Sequence, residues 1–423
     1  MAGAQVRPAT VSGKRYTLPS FPSLGEGAPD RRRLASPGRA PVPEKPALQR
    51  TPLHSFHADK KAKMVDFAGW EMPMFYTGII EEHHQVRTSG GLFDVSHMGR
   101  VKVTGRHARK FLEKLCTRKI HDMTPGQCRY SLVCNEQGGV KDDIIVYRFD
   151  EDDFLLVVNA SNREKLLPHF EKVKGDLTVK IDDQTASTAM VAMQGPKVMD
   201  MISKFSSEIP TLKRYRFATK NLMIMKVIVS RTGYTGEDGV EAILPSMFVG
   251  MAMKLILKDV DMNSPDAIVK PAGLGCRDTL RIEAGMPLYG HELGEEINAL
   301  ECGVDFAISL DKHEGDRGER FVGQDALEAT VKKGIGRKLV GIALEGKRSA
   351  RQGMAIKSGG KQVGTVTSGC LSPTLGHPIA MGFVELGATE VGTAVSVDCG
   401  RGAEEEFQGK VVKMPFYSPT KKG

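Results

Sequence analysis

Short runs rich in β-branched residues, each closed by glycine or by charge, recur along this chain and restrict it to folds assembled from many short strands. Val101-Lys-Val-Thr-Gly, Ile144-Ile-Val-Tyr, Phe154-Leu-Leu-Val-Val and Met223-Ile-Met-Lys-Val-Ile-Val are the clearest. Residues 106–115, 162–172 and 245–257 instead space apolar side chains near the helical period. Helices of that kind cover sheets, so the reading is α+β with strands in mixed sheets. Past Asp311 the texture changes. Lys312-His-Glu-Gly-Asp-Arg-Gly-Glu-Arg is charged and glycine-bearing, and short strands then follow over 338–412, with turns at Gly346, Ser358-Gly-Gly and Gly387. A separate small all-β domain is predicted over 335–418, after an α+β region over 51–311. No internal repeat or heptad pattern is visible.

The first 50 residues differ from all of this. They hold eight prolines, and their nine Lys/Arg face only Glu26, Asp30 and Glu44, so six of the eight net positive charges lie there. Such a composition buries too little apolar area to offset ordering entropy, and a disordered tail is predicted. Rich in arginine, with Arg31-Arg32-Arg33 near its middle, it reads as an organelle transit peptide. The remainder is close to neutral, which gives no electrostatic case for a nucleic-acid partner. No apolar run approaches the roughly 18 residues of a membrane span.

The seven cysteines form no C-x-x-C pair, and their odd number leaves one over in any disulfide scheme, so a reduced compartment and no zinc site are expected. His83 and His84 are adjacent and would point about 100° apart on a helix, which makes them poor joint metal ligands.

Three glycine-rich segments carry the chemistry: residues 135–143, 231–241 and 272–285. None is a phosphate loop, for none contains Gly-Lys-Ser/Thr, and the dinucleotide fingerprint fails because no third glycine follows Gly273-x-Gly275 at the spacing it needs. What the three share is a carboxylate or guanidinium set against glycine, where backbone can approach a flat ligand closely. A carboxylate can accept two hydrogen bonds from an amino-amidine edge, and an arginine fork suits a carboxylate tail. Taken alone, an acidic residue beside glycine is ordinary turn chemistry.

Seven blocks stand in order: Thr51-Pro-Leu-His-x-Phe-His, Phe67-Ala-Gly-Trp-Glu-Met-Pro, Gly91-Leu-Phe-Asp-Val-Ser-His-Met-Gly, Gly138-Gly-Val-Lys-Asp-Asp, Gly233-Tyr-Thr-Gly-Glu-Asp-Gly-Val-Glu, Ala272-Gly-Leu-Gly-x-Arg-Asp-x-Leu-Arg-x-Glu-Ala-Gly and Val366-Thr-Ser-Gly-Cys-x-Ser-Pro-Thr. In them the chain resembles the T-proteins of the glycine cleavage system, from Thr51 to Phe416. The resemblance implies three domains in a cloverleaf around a central folate-binding hole, two of them intertwined α+β domains and the third a C-terminal β-barrel. It implies an aminomethyltransferase that moves the aminomethyl carbon from the lipoyl arm of H-protein to tetrahydrofolate, yielding methylene-tetrahydrofolate and ammonia. No metal is implied, and the tail becomes an address for the mitochondrial matrix. Asp143 matches the family's essential acid. Glu241 matches the glutamate that grips the pterin edge, Arg277 the arginine near the folate tail, and Tyr234 lines the same loop. Asp94 and His97 match a block near the hole. Arg100, Lys102, Arg317 and Arg320 are candidates for docking the carrier. The ending Met414-Pro-Phe-Tyr-Ser-Pro-Thr departs from the family's, displacing Tyr417. Two other classes share parts of the pattern: another folate-dependent methyl or one-carbon transferase, and a non-catalytic folate-binding protein. The second carries Lys-Gly-Cys-Tyr where this chain has Arg231-Thr-Gly-Tyr.

Overall fold

The period-two burial of the Val140–Asp150 strand sets out the central arrangement. Asp142, Ile144 and Val146 face one way, into a core built with Phe111, Leu112, Leu115, Leu166 and Phe170. Ile145 and Tyr147 face the other, into a layer shared with a second sheet. The computed structural model describes residues 47–222, 224–256, 264, 266–398 and 406–419. The predicted tail therefore lies almost wholly outside the described residues. Within its predicted span, Gln49 hydrogen-bonds the backbone of Gly69 and Glu71, and Arg50 pairs with Glu71 at 2.9 Å.

The first sheet has five strands in the order Gln127–Cys134, Val140–Asp150, Asp153–Val158, Gly99–Thr104, Lys180–Asp183, all antiparallel. Helices Ala108–Leu115 and Arg163–Lys174 cover its outer face, where Phe111 and Phe170 meet edge to face at 6.2 Å. The second has six, in the order Phe217–Leu222, Met225–Ser230, Gly239–Pro245, Thr188–Gln194, Gly91–Asp94, Lys270–Pro271, the last pair parallel. Among the described residues, only this sheet is mixed. Helices Val198–Ser203 and Val249–Ile256 contribute to its outer core. Between the sheets lie Phe93, Val95, Leu155, Val157, Ala192 and Ile243.

The predicted all-β domain is a closed six-stranded barrel with strands between Arg337 and Val412. One of its hairpins turns on Gly359 and Gly360, both left-handed at φ 55° and 78°, a two-residue geometry that side chains resist. The helices expected over 106–115 and 162–172 form nearly as read. That expected from Pro245 starts later, at Val249, because Pro245 closes a strand. The run from Met223 is a strand only from Met225, and Met223 itself lies outside the described residues.

Residues 272–285, read above as a glycine-rich ligand segment, are mostly helix, Leu274–Glu283. Gly273 caps it for a reason of space: a Cβ there would stand 2.3 Å from the carbonyl oxygen of Met74. The helix is buried on several sides. Cys276 and Leu280 enter the inter-sheet layer, while Ile282 packs against barrel residues Leu339, Ile379 and Met381. No helix among the described residues is long and apolar enough to cross a membrane.

Candidate active site

Asp143 begins the inter-sheet face of its strand, where that face runs out of hydrophobic neighbours and becomes partly exposed. Two groups hold its carboxylate. Tyr130, on the neighbouring strand, donates its hydroxyl to Oδ2 at 3.1 Å, and Asn159 donates Nδ2 to Oδ1 at 2.7 Å. Asp142 points the opposite way and is fully buried. It accepts from the Asn159 backbone N–H at 3.0 Å, from Asn159 Nδ2 at 2.8 Å and from Asn162. Asp142 thus fixes the turn that carries Asn159, and Asn159 in turn orients Asp143.

Burial raises the pKa of both carboxyls, and the charge of Asp143 adds to the rise at Asp142. The two carboxyls lie close enough to titrate as a pair, so an ionised Asp143 is reached only above the usual aspartate range. The neighbouring phenol of Tyr130 is raised as well, by burial and by the Asp143 carboxylate, and stays a donor.

Glu241 reaches the same layer from the second sheet, two residues before Ile243 on the same face. Thr232 donates to its Oε2 at 2.5 Å. Arg277 extends from the Leu274–Glu283 helix, with its guanidinium carbon 4.9 Å from the centre of the Tyr234 ring. Tyr234 is anchored through its hydroxyl to the carbonyl of Pro287. Burial lowers the pKa of Arg277 and the Glu241 carboxylate opposes that, which sets the two within electrostatic reach. Asp143 and Arg277 both act on Tyr234. Asp143, Glu241, Arg277 and Tyr234 are therefore one cluster at the end of the inter-sheet layer.

One atom in it is left open. Arg277 Nη1 is buried with no hydrogen-bond partner among the described residues, a cost that a ligand acceptor would relieve. His97 has a second such atom, Nδ1, and burial lowers its imidazole pKa to about 4, so the ring is neutral.

Asp94 stands apart. Its carboxylate accepts from Thr51 at 2.6 Å, bonds His57 Nε2 at 2.8 Å and accepts from the Ser96 backbone at 2.9 Å. These bonds tie the first described helix, His54–Asp59, to the second sheet.

With this geometry in view, two family matches decide the kinship: residues 53–312 match the GCVT N-terminal domain, and residues 337–418 the Glycine cleavage T-protein C-terminal barrel domain. The chain belongs to the glycine cleavage T-protein family. An aminomethyltransferase of Rubrobacter xylanophilus is 45% identical over 372 residues, spanning 88% of this chain and 94% of the relative. One of Cutibacterium acnes is 41% identical over 379 residues, 88% and 98% of the two. The crystal structure of glycine cleavage system aminomethyltransferase T from Bartonella henselae aligns with a TM-score of 0.78 at 30% identity, covering 88% of this chain and 98% of that one.

Sequence reasoning missed Tyr130 and Asn159. They lie 13 and 16 residues from Asp143 and share no motif with it. Pairing of the strands brings Tyr130 alongside, and the turn after Val158 brings Asn159. The displaced Tyr417 stacks on Arg87, 4.1 Å from guanidinium carbon to ring centre, and its N–H donates to the Glu283 carbonyl. It belongs to a buried centre in which Arg87 pairs with Glu237 and Glu283, both at 2.8 Å, and Glu283 also meets His83, Ser372 and Thr374. His83 meets Thr279 through Nδ1 and Thr374 through Nε2, both at 2.8 Å. The four basic docking candidates are also committed: Arg100 is fully buried on Ser96, Met98, Thr185 and Thr188, while Lys102 pairs with Asp153, Arg317 with Glu151 and Arg320 with Asp325.

Proposed function

We propose that this family member is the aminomethyltransferase of the glycine cleavage system. It takes the aminomethyl carbon from the lipoyl arm of H-protein and passes it to tetrahydrofolate, giving 5,10-methylenetetrahydrofolate, ammonia and the dihydrolipoyl carrier. One observation carries this reading: a carboxylate clamped by Tyr130 and Asn159 shares a site with Glu241 and with an unpartnered, buried donor of Arg277.

Folate supplies a weakly basic amine as nucleophile, and the residues supply orientation and charge. Ionised Asp143 stabilises cationic character as it develops on the transferred carbon, and its two hydrogen bonds hold it in place beforehand. Glu241 offers an acceptor to the donor edge of a pterin ring, and Arg277 offers the fork that a glutamate-tail carboxylate accepts. Incubation with aminomethylated H-protein and tetrahydrofolate should release ammonia; no release would sink the assignment. The tail's arginine-rich, acid-poor composition supports a further proposal, that it addresses the protein to the mitochondrial matrix.

A further inference from the structure

We infer that the surface around Phe306 docks a carboxylate-bearing face of the lipoyl carrier protein, with Arg118 and Arg214 as its charged contacts. The inference rests on the proposed activity, which requires a protein-borne arm to reach Asp143. Any collar for that arm must lie beside Tyr130.

Phe306 meets this demand. It sits on the short turn Asp305–Ala307, is 60% exposed, and its ring centre lies 5.8 Å from that of Tyr130, which donates to Asp143. The guanidinium carbon of Arg118 lies 6.0 Å from the same ring. Its side chain makes no hydrogen bond or ion pair among the described residues, and neither does that of Arg214, which is exposed. Tyr215, next to Arg214 in the chain, is exposed yet held with left-handed backbone at φ 58°. Backbone bonds to Arg231 and Cys128 fix that strained conformation. Tyr215 is within electrostatic reach of Arg118, Arg214 and Glu241, so the surface borders both carboxylates of the site. Arg216 adds another cation, bonded to Thr124 Oγ1 at 2.7 Å rather than to an acid.

Charge beside Tyr130 favours this surface. Nearby Lys119 and Arg129 already pair with Asp311 and Asp122. No acid bonds the side chain of Arg118 or Arg214 among the described residues, although Asp122 acts on Arg118 at longer range, and a guanidinium without a bonded carboxylate beside an exposed aromatic is what a protein contact consumes. The occupant must bring carboxylates of its own.

Fluorescence anisotropy of labelled, lipoylated H-protein tests this. The wild-type protein should bind, more weakly as salt is added. An Arg118→Glu/Arg214→Glu double variant should bind at least tenfold more weakly at low salt, with melting temperature and tetrahydrofolate affinity kept. Phe306→Ser should weaken binding severalfold with the salt dependence retained, and Lys361→Glu on the barrel should bind as wild type. The inference is overturned if the double variant binds within twofold of wild type, if Lys361→Glu loses as much, or if the wild-type protein does not bind the carrier. Ammonia release is scored separately: intact binding without ammonia refutes aminomethyl transfer alone, and ammonia with undiminished binding by the double variant refutes the docking surface alone.

Discussion

Asp142 and Asp143 are neighbours in sequence but face opposite sides of a strand, and that alone divides their work. Asp142 anchors the Asn159 turn, and Asp143 is left to meet a ligand. Asp143→Asn keeps the shape and the bond from Asn159 while removing the charge. Turnover should fall on the order of a hundredfold or more with folate affinity nearly kept, the pattern of a group that acts in the transition state. Steady-state ammonia release beside calorimetric titration checks both halves. The raised carboxyl pKa also sets the sign of the pH response: Asp143 is protonated below its elevated pKa and becomes useful only above it. The rate should therefore rise with pH on an acid limb lying above the usual aspartate range. Glu241→Ala would leave ligand donors unpaired in a partly dry site, costing about 1–3 kcal/mol of folate binding. An unchanged dissociation constant would mean that another group grips that edge.

The Leu274–Glu283 helix is the element on which most of the molecule converges, since it meets the inter-sheet layer, the barrel and the candidate site along three faces. Its last residue, Glu283, shows how the junction is held. Burial would raise its pKa, yet His83, Ser372 and Arg87 bring it down to about 2. A depressed carboxyl pKa contributes stability that is complete above the unfolded value near 4.5 and is lost as pH falls toward 2. Glu283→Gln, which leaves the buried Arg87 guanidinium underpaired, should cost about 3 kcal/mol at neutral pH. Urea unfolding should show that gap closing as pH falls from 4.5 toward 2. The sequence reading of this element went astray because Gly273 and Gly275 look like loop residues. Their smallness serves contact with Met74 and Ile79 instead, which no local pattern reveals. Strands such as Phe154–Leu-Leu-Val-Val were legible because β-branched and aliphatic runs between turns have few alternatives. Asp143, Glu241, Arg277 and Tyr234 were legible through motif blocks, whereas Tyr130 and Asn159 join the site only through strand pairing.

At the scale of the whole molecule, the bond of Gln49 and Arg50 to the hairpin of Lys63–Phe67 and Trp70–Phe75 places the start of useful structure ahead of Thr51. A truncation meant to remove only the proposed address should spare those two residues. Deleting residues 1–46 should leave melting temperature and turnover unaltered and abolish import into isolated mitochondria; retained import would overturn the targeting proposal. The far end of the chain has the opposite character. Tyr417 lies on Arg87, a residue of the helix Ile79–Thr88. A ribosome makes Arg87, Glu237 and Glu283 well before Tyr417, so the two sheets can pair while the chain is still being synthesised, but the Arg87 centre is completed only once the segment beyond the barrel has been made. A nonsense codon just ahead of Tyr417 would thus act at a distance, removing a stacking partner from a helix encoded far upstream.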